Sequence, residues 1–175
     1  MMASVLRFSL VASVMILLFG AGPLPAQMSH GDEHAGPTMN NHVINQRLTT
    51  GGHFVDDGLA ALKQQGLQVV IDLRDKPPAG QKEKLAEMGI EWINIPVVWT
   101  NPQSRDFERF SAAMTEHKSE KVLVQCQANY RASAMTYLYR VKVEQVPKST
   151  AAKDLNAVWE PNEQWRKYMD GIISN

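Results

Sequence analysis

Residues 121–133 read "KVLVQCQANYRAS". Val122, Leu123 and Val124 form a short apolar run, the pattern of a strand buried on both faces. A few polar residues follow, and a helical pattern then runs from about Arg131 to Glu144. A buried strand that turns directly into a helix is one half of a βαβ unit. Cys126, the one cysteine of the chain, ends the strand, and Arg131 stands where the helix begins.

The flanking stretches repeat this alternation. "GLAALKQQGLQ" (58–68) sets Leu59 and Leu62 three apart and stops at Gly66, which predicts a helix. "QVVIDL" (68–73) is a buried strand. "GQKEKLAEMGI" (80–90) predicts a short helix with Leu85 and Met88 inward and Gly89 as its stop. "EWINIPV" (91–97) is the next strand, closed by Pro96. After Asn101-Pro102 or Ser104 a helix places Phe107, Phe110 and Met114 on one side. The remainder divides at Pro161 into two short helices. Strands alternating with helices predict an α/β fold: three layers, with a mostly parallel sheet flanked by helices and two short C-terminal helices. In such a sheet, sites form outside the carboxyl ends of the strands. The loops "RDKPPAG" (74–80), "VWTNPQS" (98–104) and "CQANYR" (126–131) therefore converge.

The start of the chain reads differently. "FSLVASVMILLF" (8–19) follows Arg7 and is broken by Gly20, Pro23 and Pro25, with the small Ala26 after them. This is the layout of a signal peptide over residues 1–26, and the run is short for a membrane span. It predicts an exported protein, periplasmic or secreted, with no stable membrane span after processing. Residues 27–47 are polar and predict a flexible segment ahead of an α/β domain over 48–175. His30, His34 and His42 match no compact metal site, and no cysteine joins them. Beyond residue 26 the chain carries 17 basic and 18 acidic side chains. Such a balance gives no electrostatic reason to expect nucleic acid as a partner. A single cysteine allows no intramolecular disulfide, so a thiol kept in an oxidising compartment points to chemistry.

What that chemistry is follows from the turn. A strand-to-helix turn exposes backbone N–H groups, and the helix N-terminus adds partial positive charge. The amides of Gln127, Ala128, Asn129 and Tyr130 would then stabilise a thiolate at Cys126 and cradle a tetrahedral oxyanion. Arg131 closes the loop with a planar fork that fits phosphate oxygens. Asn129 tolerates the left-handed conformation that a tight loop requires.

These residues, with "GLAALKQQGLQVVIDLRD" and "GIEWINIPV" upstream, resemble the cysteine-based phosphatase superfamily of tyrosine and dual-specificity phosphatases. The resemblance spans Leu48 to Val146 and is nearest to the phosphatase-like domain of the beta-lactamase-hydrolase-like proteins, whose loop also has four residues between Cys and Arg. It implies a tyrosine-phosphatase-like fold and a phosphocysteine mechanism without metal or cofactor. Cys126 would attack phosphorus, and Arg131 with the loop amides would hold the equatorial oxygens. The partner implied is a phosphorylated small molecule or a phosphoprotein.

The sequence also departs from the superfamily's more familiar pattern. Four residues rather than five separate Cys126 from Arg131, Gln125 replaces a histidine, and Asn129 replaces a glycine. Ala132 stands where a hydroxyl residue often assists, with Ser133 one place later. No Asp follows "IPV", which leads into Val98-Trp99-Thr100. Asp75 and Asp106 are the candidate proton donors, because their loops reach the same sheet edge. Arg74 is a candidate for attracting the substrate, and Trp99 for walling the pocket. Two other readings fit the loop: a rhodanese-like sulfurtransferase carrying a persulfide on Cys126, and a phosphoanion-binding module without catalysis.

Overall fold

The structure is a computed structural model and describes residues 36–174. The expected signal peptide, His30 and His34 lie outside the described residues. The elements are β1 (His42–Val43), β2 (Leu48–Gly51), α1 (Gly58–Gln64), β3 (Val69–Asp72), α2 (Gln81–Glu87), β4 (Glu91–Asn94), α3 (Ser104–Glu116), β5 (Val122–Gln125), α4 (Tyr130–Lys142), α5 (Lys148–Val158) and α6 (Glu163–Ser174). The strands form one sheet in the order β1-β2-β5-β3-β4. All neighbours are parallel except β1, which runs antiparallel to β2. Mostly parallel, the sheet matches the expected class.

Alternation along the strands builds the three layers. Val69 and Ile71 of β3, with Val122 and Val124 of β5, face a core completed by α3, α4, α5 and α6. Val70 and Leu123 point the other way, onto Leu59, Leu62 and Leu85 of α1 and α2. Phe107, Phe110 and Met114 are buried on α3, as their spacing predicts. Burying a side chain such as Phe110 contributes about 1.5–3 kcal/mol. Gly66 and Gly89 follow α1 and α2 with φ of 89° and 64°. Beyond β4 the chain stays extended: Ile95 N–H donates to the Asp72 carbonyl at 2.9 Å and Val97 N–H to the Leu73 carbonyl at 3.1 Å.

The structure corrects two expectations. Beside the three predicted strands stand β1 and β2, and β2 pairs in register with β5 from Leu48↔Val122 to Gly51↔Gln125. The polar stretch over 27–47 is not wholly a flexible lead-in. Within its described part, Thr38 is fully buried, and Met39 N–H donates to the His53 carbonyl at 2.9 Å. Gly52 N–H returns a bond to the Met39 carbonyl at 2.7 Å. Main-chain pairing supplies order where apolar side chains are scarce, so an apolar count overlooks it. Among the described residues no helix is long and apolar enough to cross a membrane.

Candidate active site

Cys126 leaves the centre of the sheet with its N–H donating to the Gly51 carbonyl at 3.0 Å. The next two carbonyls are tied back. Gln127 C=O accepts from His53 N–H at 3.1 Å, and Ala128 C=O accepts from Asn40 Nδ2 at 3.1 Å. Across a trans peptide a carbonyl and the following N–H point in opposite directions, so Ala128 N–H turns away from His53. Gln127 N–H bonds to no other backbone group among the described residues. Tyr130 and Arg131 open α4, where N–H groups have no acceptor within the helix. Asn129 adopts φ 68°, as the tight turn requires. Its side chain turns behind the loop and donates to the Asn40 carbonyl at 2.6 Å. A Cβ on Gly52 would stand 2.7 Å from the Gln127 carbonyl oxygen, so only glycine lets the strand β2 exit pass this close to the loop.

A polar network lies beneath. Gln125 is fully buried; its Nε2 donates to the Gly52 carbonyl at 3.0 Å, and its Oε1 accepts from Arg74 Nη2 at 3.1 Å and Gln81 Nε2 at 3.0 Å. Arg74 is paired with the buried Asp72 at 2.7 Å and bonds Gln81 as well. Trp92 Nε1 donates to Asp72 at 3.3 Å. Satisfied on every side, such a buried pair rigidifies the strand ends. The sequence reading of Arg74 as a substrate contact is therefore corrected. Arg74 is 3% exposed, and its guanidinium is committed to Asp72, Gln81 and Gln125, outside the lining of the cavity.

The cavity at the loop has a volume of about 320 Å³ and is lined by Trp99, Cys126, Gln127, Ala128, Tyr130 and Arg131. The structure thus gathers most of the predicted cradle, leaving Asn129 behind the wall. Trp99 walls it as expected, packed on Trp165 and Trp159 with centroids 5.3 and 5.5 Å away. Tyr130 stacks on Trp159 at 4.9 Å. Ser133 is not aimed at the thiol, since its Oγ donates to the Asn129 carbonyl at 2.8 Å and accepts from Trp159 Nε1 at 3.1 Å.

Arg131 is nearly buried. Its Nη1 donates to the Val97 carbonyl at 2.6 Å and to Asp75 Oδ1 at 2.9 Å. The guanidinium beside it holds the Asp75 carboxyl below the usual carboxylate range, against the opposing effect of burial. Asp106, the other predicted proton donor, is corrected. Its Oδ2 accepts from Gln103 N–H at 2.9 Å, so its carboxylate caps the start of α3. Asn40, His53 and Gly52 escaped sequence reasoning. No local periodicity marks them, because they meet the loop across long stretches of chain. Gln125 did leave a trace, as a polar residue at the end of an otherwise apolar strand.

Over residues 26–169 the sequence matches the family described as DSP-PTPase phosphatase fused to NAD+ kinase. That family lies in the superfamily of cysteine-based phosphatases that the sequence resembles. A candidate phosphatase (DUF442) from Shewanella putrefaciens CN-32 is 32% identical over 78% of this chain and 90% of that one, with a TM-score of 0.67. A mouse candidate dual-specificity phosphatase, complexed with zinc tungstate, is 18% identical over 83% and 93% of the two chains, with a TM-score of 0.65. Tk-PTP in its active form is 12% identical over 78% and 97%, with a TM-score of 0.66. At those lower identities the likeness is one of fold. No curated protein matches the sequence.

Proposed function

The chain belongs to the family of DSP-PTPase phosphatases described as fused to NAD+ kinase, and from that membership we propose that it hydrolyses a phosphomonoester through a phosphocysteine on Cys126. One observation carries this reading: Cys126 and Arg131 line a single cavity, with the open amide donors of the turn between them. The cavity accepts one phosphoryl group at the loop, with the ester oxygen leaving toward solvent. Hydrogen bonds to a charged group contribute about 1.5–3 kcal/mol each. Several of them, realised on the equatorial oxygens, stabilise the charge that develops during transfer.

The thiolate attacks phosphorus, the P–O ester bond breaks, and water then cleaves the P–S bond to release phosphate. The substrate is a phosphorylated small molecule or a phosphoprotein. The aromatic faces of Trp99 and Tyr130 favour an ester whose organic group is at least partly apolar. We further propose that the protein acts outside the cytosol, a reading supported by the apolar run of residues 8–19. N-terminal sequencing of the protein recovered from its native host tests this: a start near residue 27 is expected, and an intact Met1 speaks against it.

The activity is tested with para-nitrophenyl phosphate under reducing conditions, the wild type beside Cys126→Ser. Turnover that disappears in the variant is the expected result. No turnover by a folded, reduced wild type overturns the proposal and shifts attention to sulfur transfer or phosphoanion binding.

A further inference from the structure

Phosphoryl transfer to a poor leaving group needs a proton at the departing oxygen, and the loop after β4 carries none to give. Val98, Trp99 and Thr100 stand there, and Trp99 is packed against Trp159 and Trp165. Asp106 is engaged at the start of α3. Among the described residues, Asp75 is the one carboxylate within ion-pair distance of Arg131, at 2.9 Å. It comes from a different loop, the one after β3.

That loop is firmly held. Asn94 Nδ2 donates to the carbonyls of Asp72 and Arg74 at 2.9 and 3.0 Å. Arg74 N–H donates to Asp72 Oδ1 at 3.0 Å, while its side chain is locked into the buried network. Asp75 is thus the first residue of the loop free to face outward, and its side chain is 40% exposed beside Arg131, which lines the cavity. A carboxylate at this point engages Nη1 of the guanidinium that a phosphate needs. When the phosphate enters, two anions share one cation. Mutual repulsion then raises the proton affinity of the pair, and a carboxyl displaced from Arg131 becomes easier to protonate.

We propose that Asp75 is the proton donor to the leaving group, held as a carboxylate by Arg131 until the substrate phosphate displaces it. This rests on the phosphatase reading of the same site. In the first step the Cys126 sulfur forms a bond to phosphorus, and the P–O bond breaks with its electron pair going to the leaving oxygen. The Asp75 proton passes to that oxygen, leaving a carboxylate. In the second step the carboxylate takes a proton from the attacking water, its oxygen bonds to phosphorus, and the P–S pair returns to sulfur. Proton and thiolate are both restored.

The test compares Asp75→Asn with wild type on two substrates, para-nitrophenyl phosphate and phenyl phosphate. Nitrophenolate leaves without help, whereas phenolate does not. The variant is expected to lose about 10²–10⁴ in kcat on phenyl phosphate and less than about tenfold on the nitrophenyl ester. It is also expected to bind inorganic phosphate more tightly, because a competing carboxylate is gone. Equal losses on the two esters, or no loss on phenyl phosphate, overturn the assignment while leaving the phosphatase reading intact. Absence of wild-type turnover on both esters overturns the phosphatase reading, and the role of Asp75 with it. If Asp75→Asn fails to fold, Asp75→Glu repeats the comparison with a carboxylate retained. Retained phenyl phosphate turnover is then expected, and a loss equal on both esters counts against the proposal.

Discussion

Asn129 holds its backbone at φ 68° between β5 and α4, and at this position one side chain does two things. It tolerates a conformation that costs most residues about 1–2 kcal/mol, and its Nδ2 reaches the Asn40 carbonyl at 2.6 Å. Asn40 returns the contact by donating to the Ala128 carbonyl. Asn129→Ala is expected to lower stability by about 1–2 kcal/mol through strain alone, with the lost hydrogen bond adding to it. Asn129→Gly removes the strain and keeps only the second loss. Urea denaturation midpoints order the three proteins: wild type first, then the glycine variant, then the alanine variant. A glycine variant no more stable than the alanine one contradicts the strain argument. Asp75 belongs to the same scale, since one carboxylate contact decides whether Arg131 is free.

Between elements, the N-terminal strand is clasped to the C-terminal helices by a polar cluster. His42 of β1 lies 2.9 Å from Asp154 of α5, and Arg140 of α4 bonds the other carboxylate oxygen. Burial pushes the pKa of the Asp154 carboxyl up, toward the neutral form, but the bonds from His42 and Arg140 together outweigh it and hold the group below its ordinary value. A carboxyl whose folded value is depressed stabilises the fold above its unfolded value, and that contribution is lost as pH falls through the folded value. Asp154→Asn is therefore expected to cost about 1 kcal/mol near neutral pH. The gap from wild type narrows as pH falls below the ordinary carboxylate range and closes only once the folded carboxyl, whose value lies lower still, is protonated. Thermal denaturation of the two proteins across pH checks this. A gap that stays constant into acid rules out the ionised clasp.

For the molecule as a whole, the last two helices complete the site wall. Trp165 of α6 is fully buried; its Nε1 donates to the Trp99 carbonyl at 3.2 Å, and its ring backs that of Trp99. Trp159, just past α5, stacks on Tyr130. These tryptophans pin the C-terminal helices to the domain, and the pinning reaches the cavity. Trp165→Ala is expected to cost about 3–5 kcal/mol, as for a large aromatic removed from a packed core. Loss of the support behind Trp99 should also raise KM for a bulky aryl ester more than for a small phosphate ester. Unfolding curves and paired KM values check both. An unchanged stability shows that the helices pack elsewhere.

How much of this was legible beforehand depends on the range of the contacts. The buried strands, the helices α1 to α4 and the juxtaposition of Cys126 with Arg131 follow from patterns that repeat within a few residues, because apolar period and turn chemistry are local properties of the chain. The C-terminal helices were readable for the same reason. By contrast, β2 contains Leu48, Thr49, Thr50 and Gly51, too short a pattern to stand out, and its pairing with β5 appears only in the folded sheet. The residues that set the loop are farther apart still. Asn129 meets Asn40 across 89 positions, Arg131 meets Asp75 across 56, and Arg74 meets Gln125 across 51. Sequence alone determined the alternating α/β layout and the Cys126–Arg131 turn, since those depend on local periodicity and turn geometry. Only the tertiary structure decided that Asp75 faces Arg131, that Arg74 is buried and that Asp106 caps a helix, because strand register and loop packing determine which distant polar groups satisfy one another.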